Sequence, residues 1–190
     1  MLAKHRVGVL ISGRGSNMAA LVAEAQDADC PYEVVLVASD KPDAAGLAFA
    51  AEQGVATFAY SPKGISKAEY EAAIDGALRA AGVETIALAG YMRLLSGDFV
   101  AKWRDRIVNI HPSLLPAYKG LDTHARAIAA GDAEAGCSVH VVTEELDAGS
   151  VLAQARVPIL PDDTADTLAA RVLVEEHRLY PQTLAEFVTR

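Results

Sequence analysis

Short apolar runs alternate with longer amphipathic or alanine-rich stretches along the first 110 residues. The run "RVGVLIS" is apolar without alternation, as expected for a strand that is covered on both faces. The first three runs are each followed by a stretch with helical character. The predicted strands are Arg6–Ser12, Glu33–Ser39, residues 55–60, Thr85–Gly90 and Arg106–Ile110. The predicted helices are Ser16–Ala28, Pro42–Gln53 and Ser66–Ala81.

The alternation of strands and helices predicts a doubly wound α/β fold whose sheet is mostly parallel, with helices on both faces. After Gly136 the pattern changes to two alternating strands, residues 138–144 and 150–159, around "ELDAGS". This pattern predicts a C-terminal antiparallel pair. A last helix is expected from about Thr164 to Phe187, with Pro181 interrupting it.

The length and charge of the chain narrow the possible functions. A chain of 190 residues can form one well-buried domain, residues 1–190. The net charge of −8 disfavours a broad nucleic-acid surface but permits a local pocket for a small anion. Cys30 and Cys137 lie far apart and match no metal spacing, and no segment has the length and apolarity of a membrane span. We expect a soluble, cytoplasmic protein that binds neither nucleic acid nor membranes.

The segment "SGRGSN", residues 12–17, joins the first predicted strand to the first helix. Gly13 and Gly15 permit a tight turn, and the following helix offers unpaired backbone amides to an anion. Met18 occupies the third glycine position of a dinucleotide fingerprint, so a single phosphate group fits better than a pyrophosphate. The same residues would also form an ordinary strand–helix turn with Ser16 or Asn17 as the N-cap.

Two further motifs carry side chains suited to acyl-type chemistry. Asn109 and His111 alternate along "IVNIHP", so both can lie on one face of the strand, where they could stabilise an oxyanion and move a proton. Asp147 in "EELDAGS" could favour the imidazolium form of a nearby histidine. The alternative is that His111 is satisfied by backbone groups and that Asp147 only forms a turn. The sequence alone does not bring the two together.

The sequence resembles the phosphoribosylglycinamide formyltransferases, a family of folate-dependent formyltransferases. The resemblance is carried by the motifs above together with "AGYMRLLSGDFV", "GCSVHVVTEELDAGSVLAQARVPI" and "RVLVEEHRLYPQTL". The resemblance extends from Arg6 to about Leu184. It implies that 10-formyltetrahydrofolate is the co-substrate, that no metal takes part, and that the glycinamide ribonucleotide accepts the formyl group in purine biosynthesis. It also implies a monomer or weak homodimer whose partners are small molecules.

The resemblance assigns roles residue by residue. It implies that Asn109, His111 and Asp147 are catalytic, with Asn109 and Asp147 also on the folate side. It places the nucleotide phosphate mainly in residues 1–100 and folate binding with catalysis mainly in residues 101–190. Lys67 stands where the family commonly has Arg, and Lys lacks the planar fork of a bidentate contact. The implied nucleotide residues are Gly15, Ser16, Asn17 and Glu176. The implied folate residues also include Lys67, Met92, Arg93, Leu94, Leu95 and Val142, the last within a loop over Val139–Asp147.

Several other functions stay open on the sequence. Methionyl-tRNA formyltransferase usually has Ala after the histidine and adds a basic carboxyl-terminal domain, whereas formyltetrahydrofolate hydrolase adds an amino-terminal regulatory domain. An NAD(P)-binding oxidoreductase has superficial support from the Gly13–Gly15 turn and from Asp40 after the second strand. A non-catalytic ligand-binding protein is the remaining alternative, although Asn109, His111 and Asp147 are all present.

Overall fold

The computed structural model describes residues 3–190 and contains one seven-stranded sheet in the order β3-β2-β1-β4-β5-β6-β7. Strands β1 to β5 pair in parallel, whereas β6 pairs antiparallel with both β5 and β7. The predicted fold class is therefore confirmed. The strands are β1 (His5–Ile11), β2 (Tyr32–Ser39), β3 (Thr57–Ala59), β4 (Thr85–Leu88), β5 (Ile107–His111), β6 (Glu134–Val141) and β7 (Val151–Pro158).

Helices cover both faces of the sheet, and each face has its own apolar cluster. On one face, Val9 and Ile11 of β1 join a cluster with residues of α1, α2 and α6. On the other face, Leu10 packs with residues of α3 and α4. This division explains why the β1 run is apolar without alternation. The helices are α1 (Ser16–Ala25), α2 (Ala45–Glu52), α3 (Lys67–Ala80), α4 (Gly97–Lys102), α5 (Thr123–Ala130) and α6 (Ala165–Val188).

Several predicted boundaries were wrong, and local contacts explain two of them. Helix α1 ends at Ala25 rather than Ala28, since the amides of Gln26 and Asp27 donate to carbonyls only three residues back. The Lys4 ammonium donates to the carbonyls of Ala25 and Asp27, at 3.3 and 2.6 Å. Helix α2 begins at Ala45 rather than Pro42, since residues 41–44 form a turn in which the Ala44 amide donates to the Lys41 carbonyl at 3.1 Å.

Two helices and one strand start were not predicted at all. Helices α4 and α5 are too short to show a clear period, with 6 and 8 residues. Strand β6 begins at Glu134, four residues before the predicted start.

Pro181 does not interrupt the last helix, contrary to expectation. Helix α6 runs without a break through Pro181, which is itself buried. Leu168, Val172, Tyr180 and Leu184 of the same helix are fully buried in the core. Burial of such side chains contributes roughly 1.5–3 kcal/mol each, which outweighs the roughly 3 kcal/mol cost of an interior proline.

Candidate active site

Asn109 and His111 occupy alternate positions of β5 and therefore lie on the same face of the sheet. Their partners across the antiparallel pairing with β6 are His140 and Ser138. His111 is the last residue of the strand and is only 7% exposed. The sheet thus holds the amide and the imidazole in a fixed relation, as the sequence predicted.

The His111 imidazole contacts acceptor oxygens through both ring nitrogens. Nε2 donates to the carbonyl oxygen of Tyr118 at 2.9 Å, and since a carbonyl only accepts, the hydrogen is on Nε2. Nδ1 lies 3.4 Å from Oδ2 of Asp147. Both ring nitrogens of His111 therefore lie next to oxygen atoms that can accept a hydrogen bond.

Asp147 reaches His111 from the loop between β6 and β7. Its backbone is in the left-handed region, with φ of 50°, and its carboxylate is buried. Oδ2 accepts a hydrogen bond from the Gly120 amide at 3.0 Å. Gly149 permits the return of the loop, because a Cβ there would lie 1.7 Å from the carbonyl oxygen of Val141. The carboxylate, which the sequence could not place, therefore lies beside the imidazole.

His140 of β6 also belongs to this cluster. Its Nδ1 donates to the carbonyl of Val141 and its Nε2 accepts from Nδ2 of Asn109, both at 3.2 Å. Burial lowers the pKa of His140, which favours this neutral form. His140 thereby orients the Asn109 amide and leaves its second hydrogen available. Only the register of β5 with β6 could have revealed this role.

The predicted nucleotide side lies at the start of α1. Gly15 is the N-cap residue and has φ of 68°, so glycine is required for the turn. Ser16 opens the helix, and Asn17 donates from Nδ2 to Oε2 of Glu176 at 2.8 Å. Burial raises the pKa of Glu176, while the hydrogen bond from Asn17 opposes that shift. Residues from opposite ends of the chain are thus brought together here.

Asn17 retains an unused acceptor. Its Oδ1 atom is buried and has no hydrogen-bond partner within residues 3–190. A buried amide oxygen without a donor carries a free-energy cost, which a ligand that donates a hydrogen bond would remove.

The predicted folate side includes the segment between β4 and α4. Two of its side chains, Met92 and Leu94, are 66% and 65% exposed, which is unusual for large apolar residues. The Arg93 guanidinium stacks over the Tyr70 ring, 4.9 Å from the ring centroid. Residues 92–95 thus present apolar surface beside an anchored cation. The predicted residues of this segment are Met92, Arg93, Leu94 and Leu95.

The two remaining predicted folate residues lie on other elements. Val142 follows β6, and its amide donates to the Ile107 carbonyl at 2.8 Å, so the start of the loop is tied to β5. Lys67 is the first residue of α3 and is exposed. Among residues 3–190, no side-chain hydrogen bond or ion pair links Lys67 to the other site residues, so its role stays a prediction.

The dinucleotide interpretation conflicts with the surroundings of Asp40. Its carboxylate is buried and accepts a hydrogen bond from the Ser12 hydroxyl at 2.7 Å, so it does not face solvent as a ribose ligand would. Met18 is fully buried in the core at the position where a dinucleotide turn needs glycine. Within residues 3–190, no cluster of three or more histidine, cysteine or acidic side chains could hold a metal ion. No helix in that range is long and apolar enough to cross a membrane.

Comparison of the sequence with known protein families identifies the class of protein to which this sheet, this turn before α1 and this Asn–His–Asp cluster belong. Residues 5–184 match the formyl transferase family. The chain therefore belongs to this family.

Relatives within the family are similar over nearly the whole chain. A phosphoribosylglycinamide formyltransferase from Haemophilus influenzae is 40% identical over 183 residues, which cover 96% of this chain and 86% of that protein. The trifunctional purine biosynthetic protein adenosine-3 of Drosophila melanogaster is 47% identical over 188 residues, or 97% of this chain. The match spans only 14% of that much longer protein.

The fold is also similar to the folds of solved structures. The crystal structure of phosphoribosylglycinamide formyltransferase from Brucella melitensis superposes with a TM-score of 0.94 at 55% identity, and the match covers 97% of this chain and 96% of that one. A glycinamide ribonucleotide transformylase from Geobacillus kaustophilus gives a TM-score of 0.92 at 42% identity, covering 97% and 98%.

Proposed function

We propose that this chain transfers a formyl group from 10-formyltetrahydrofolate to the amine of N1-(5-phospho-D-ribosyl)glycinamide, a step of purine biosynthesis. The observation that carries the proposal is the 3.4 Å approach of Asp147 to His111, on the strand that also carries Asn109. The relatives from Haemophilus influenzae and Brucella melitensis bear the name phosphoribosylglycinamide formyltransferase, which supports the proposal.

The proposed binding mode places the two substrates on neighbouring strand ends. The phosphate lies at the N-terminus of α1, where the backbone amides after Gly15 are directed toward an anion. Asn17 lies on the phosphate side with Gly15 and Ser16, and its free Oδ1 accepts a hydrogen bond from the nucleotide, while its partner Glu176 lies on the glycinamide side of the nucleotide. The folate lies against residues 92–95 and Val142, with Lys67 near its acidic tail. The phosphate turn thus lies in the first half of the chain, which also contributes folate-side residues, and the second half carries the chemistry.

The reaction begins when the substrate amine attacks the formyl carbon and a tetrahedral intermediate forms. Its oxygen gains negative charge and needs donors that are already in place. Asn109 supplies the amide hydrogen that His140 leaves available. His111 supplies Nε2–H, which donates to the Tyr118 carbonyl in the structure and exchanges this acceptor for the oxyanion as the intermediate forms. Because the sheet fixes the backbone of both residues, this exchange of partner is the reorganisation required as the charge develops.

Collapse of the intermediate requires two proton movements. The attacking nitrogen loses a proton, and the folate nitrogen gains one as the bond from it to the formyl carbon breaks. His111 serves as the proton carrier, and Asp147 stabilises the cationic ring, as the 3.4 Å separation permits. The products are the N-formyl nucleotide and tetrahydrofolate. Alignment of amine and formyl carbon supplies a further large part of the acceleration.

A formyl-transfer assay with the purified protein tests the proposal. We expect equal amounts of tetrahydrofolate and N-formyl nucleotide when both substrates are present. Formate release without the nucleotide would instead indicate a hydrolase. Quenching of nicotinamide fluorescence with no formyl transfer would favour the oxidoreductase alternative.

The expected assembly and location also remain proposals. We infer a monomer or weak homodimer that acts in the cytoplasm, with small molecules as its partners. Sedimentation at several protein concentrations tests the assembly, and fractionation of the source cells tests the location.

A further inference from the structure

Ser12 follows β1 directly, and its hydroxyl group connects the ends of three neighbouring strands. The hydroxyl donates to Oδ1 of Asp40, after β2, at 2.7 Å. The same oxygen accepts from the amide of Met92, beyond β4, at 2.9 Å. Ser12 is 4% exposed and Asp40 is 7% exposed, so water competes little with either bond. Neither residue takes part in the chemistry proposed above.

The carboxylate decides the direction of the hydroxyl. A serine hydroxyl has one hydrogen, and an ionised carboxylate can only accept. The hydrogen of Ser12 is therefore committed to Asp40, and a lone pair of the oxygen is directed toward the Met92 amide. Removal of the carboxylate would leave the hydroxyl free to rotate.

The two segments joined by this hydroxyl are those that hold the two substrates in the proposed function. Ser12 continues through Gly13 into the phosphate-binding turn at Gly15, and Met92 opens the folate-side segment 92–95. We propose that Ser12, oriented by Asp40, is a positioning residue that couples nucleotide binding to folate binding. This inference rests on the proposed function. Because coupling is reciprocal, each substrate must strengthen binding of the other by the same factor.

A second anchor of the folate side provides a matched control. The hydroxyl groups of Tyr70 and Tyr91 lie 2.8 Å apart and tie the residue before Met92 to α3. This bond holds the same segment without contacting the phosphate-binding turn. Tyr70→Phe therefore removes one hydrogen bond from the folate side, as Ser12→Ala does, but leaves the bond between the two segments intact.

Calorimetry measures the coupling with tetrahydrofolate and the glycinamide ribonucleotide as probes. Tetrahydrofolate is titrated with and without saturating nucleotide. In the unsubstituted protein we expect the nucleotide to tighten folate binding at least ~5-fold, the lower range of allosteric coupling. Ser12→Ala should bring this factor close to one. Tyr70→Phe should weaken folate binding by equal factors in both titrations.

Variants of Asp40 test the orienting role separately. Asp40→Asn retains an acceptor oxygen for the hydroxyl and should keep the coupling, whereas Asp40→Ala should lose it while Ser12 stays in place. Asp40→Ala also serves as the test if Ser12→Ala does not fold. An unsubstituted protein without coupling, or a Ser12→Ala or Asp40→Ala variant with full coupling, would overturn the inference. Absence of formyl transfer by the unsubstituted protein would overturn the proposed function instead.

Discussion

The parallel part of the sheet and its antiparallel end contribute to the site by different means. Beside β1, the groups proposed to hold the nucleotide phosphate are backbone groups, namely the left-handed turn at Gly15 and the first amides of α1. After β4, the proposed folate side adds the exposed side chains of Met92 and Leu94. Beside β5 and β6, the groups are side chains, in which Asn109, His111, His140 and Asp147 contact one another.

This difference separates binding from chemistry. A backbone turn can hold a phosphate but has no group that titrates near neutral pH, whereas an imidazole next to a carboxylate can carry a proton. Substitutions in the turn after β1 should therefore change affinity, and substitutions that remove a reacting side chain near β5 and β6 should change turnover. Three substitutions test this division, and a fourth tests how His140 supports the reacting groups.

The largest effect is expected from His111→Ala, which removes an oxyanion donor and the proton carrier. Turnover should fall by at least ~100-fold, equivalent to about 2.7 kcal/mol of transition-state stabilisation. The nucleotide affinity should stay the same, since His111 is the last residue of β5 and lies outside the proposed phosphate turn at Gly15. Steady-state kinetics and calorimetry measure the two quantities, and near-normal turnover would exclude His111 from the chemistry.

Asp147→Asn should have the next largest effect, because it removes the charge but retains the shape of the side chain. We expect turnover to fall by about 30-fold, since general acid–base groups contribute about 10²–10⁴-fold and the imidazole itself remains. The Asn oxygen can still accept from the Gly120 amide, so the loop should keep its position. Loss of nucleotide affinity in calorimetry would show that Asp147 has a binding or structural role instead.

The sequence predicted the relative positions of Asn109 and His111, which lie on a strand, better than the position of Asp147, which lies in a loop. Alternation along β5 places Asn109 and His111 on one face, and that rule depends only on local backbone geometry. Asp147 depends on distant features. The register pairs His111 with Ser138 and Val108 with Val141, so β6 runs past the level of His111 toward the start of β5. The loop after β6 must then fold back to bring Asp147 to His111. Left-handed backbone at Asp147 and the absence of a Cβ at Gly149 permit this return.

Other differences also arise from tertiary contacts. The role of His140 depends on its pairing with Asn109, which requires knowledge of the antiparallel neighbour. Pro181 reads as a helix breaker from local rules, but burial of α6 in the core outweighs that preference. The centre of the sheet was predictable because strands such as β1 and β4 are apolar on both faces, a property that each strand carries by itself.

Gly15→Ala tests whether the turn before α1 contributes to nucleotide binding and not to turnover. A side chain at φ of 68° costs roughly 1–2 kcal/mol, and the new Cβ would lie 2.9 Å from Cε of Met18, so the turn should shift. We expect nucleotide affinity to fall about tenfold, equivalent to ~1.4 kcal/mol, with turnover at saturation and folate affinity unchanged.

Gly54→Ala is the matched control for Gly15→Ala. Gly54 also has positive φ, of 76°, but a Cβ there contacts nothing within 4 Å, and it follows α2, away from the turn before α1. Both variants should lose similar stability in thermal unfolding, and only Gly15→Ala should lose affinity. Equal weakening of nucleotide and folate binding by Gly15→Ala would indicate misfolding rather than a phosphate site.

The smallest effect on turnover is expected from His140→Gln. This substitution keeps an acceptor for the Asn109 amide but removes a group that titrates. Burial holds the pKa of His140 below the ordinary value of about 6.5, so the unfolded chain binds a proton more readily than the folded one. The free energy of unfolding should therefore fall as pH decreases through about 6.5, until the lower folded pKa is reached. Gln cannot titrate but can accept from Asn109, so turnover at pH 7.5 should be retained.

The measurement is denaturant unfolding at several pH values between 7.5 and 5.5. His140→Gln should reduce the slope of unfolding free energy against pH, by at most ~1.4 kcal/mol per pH unit for one proton. His177→Gln is the control, since burial also lowers the pKa of His177 on α6, where it lies outside the Asn109 contact. Both variants should flatten the slope. If His140→Gln retained the full slope, His140 would not be held neutral by burial, and its orientation of Asn109 would lose its physical basis.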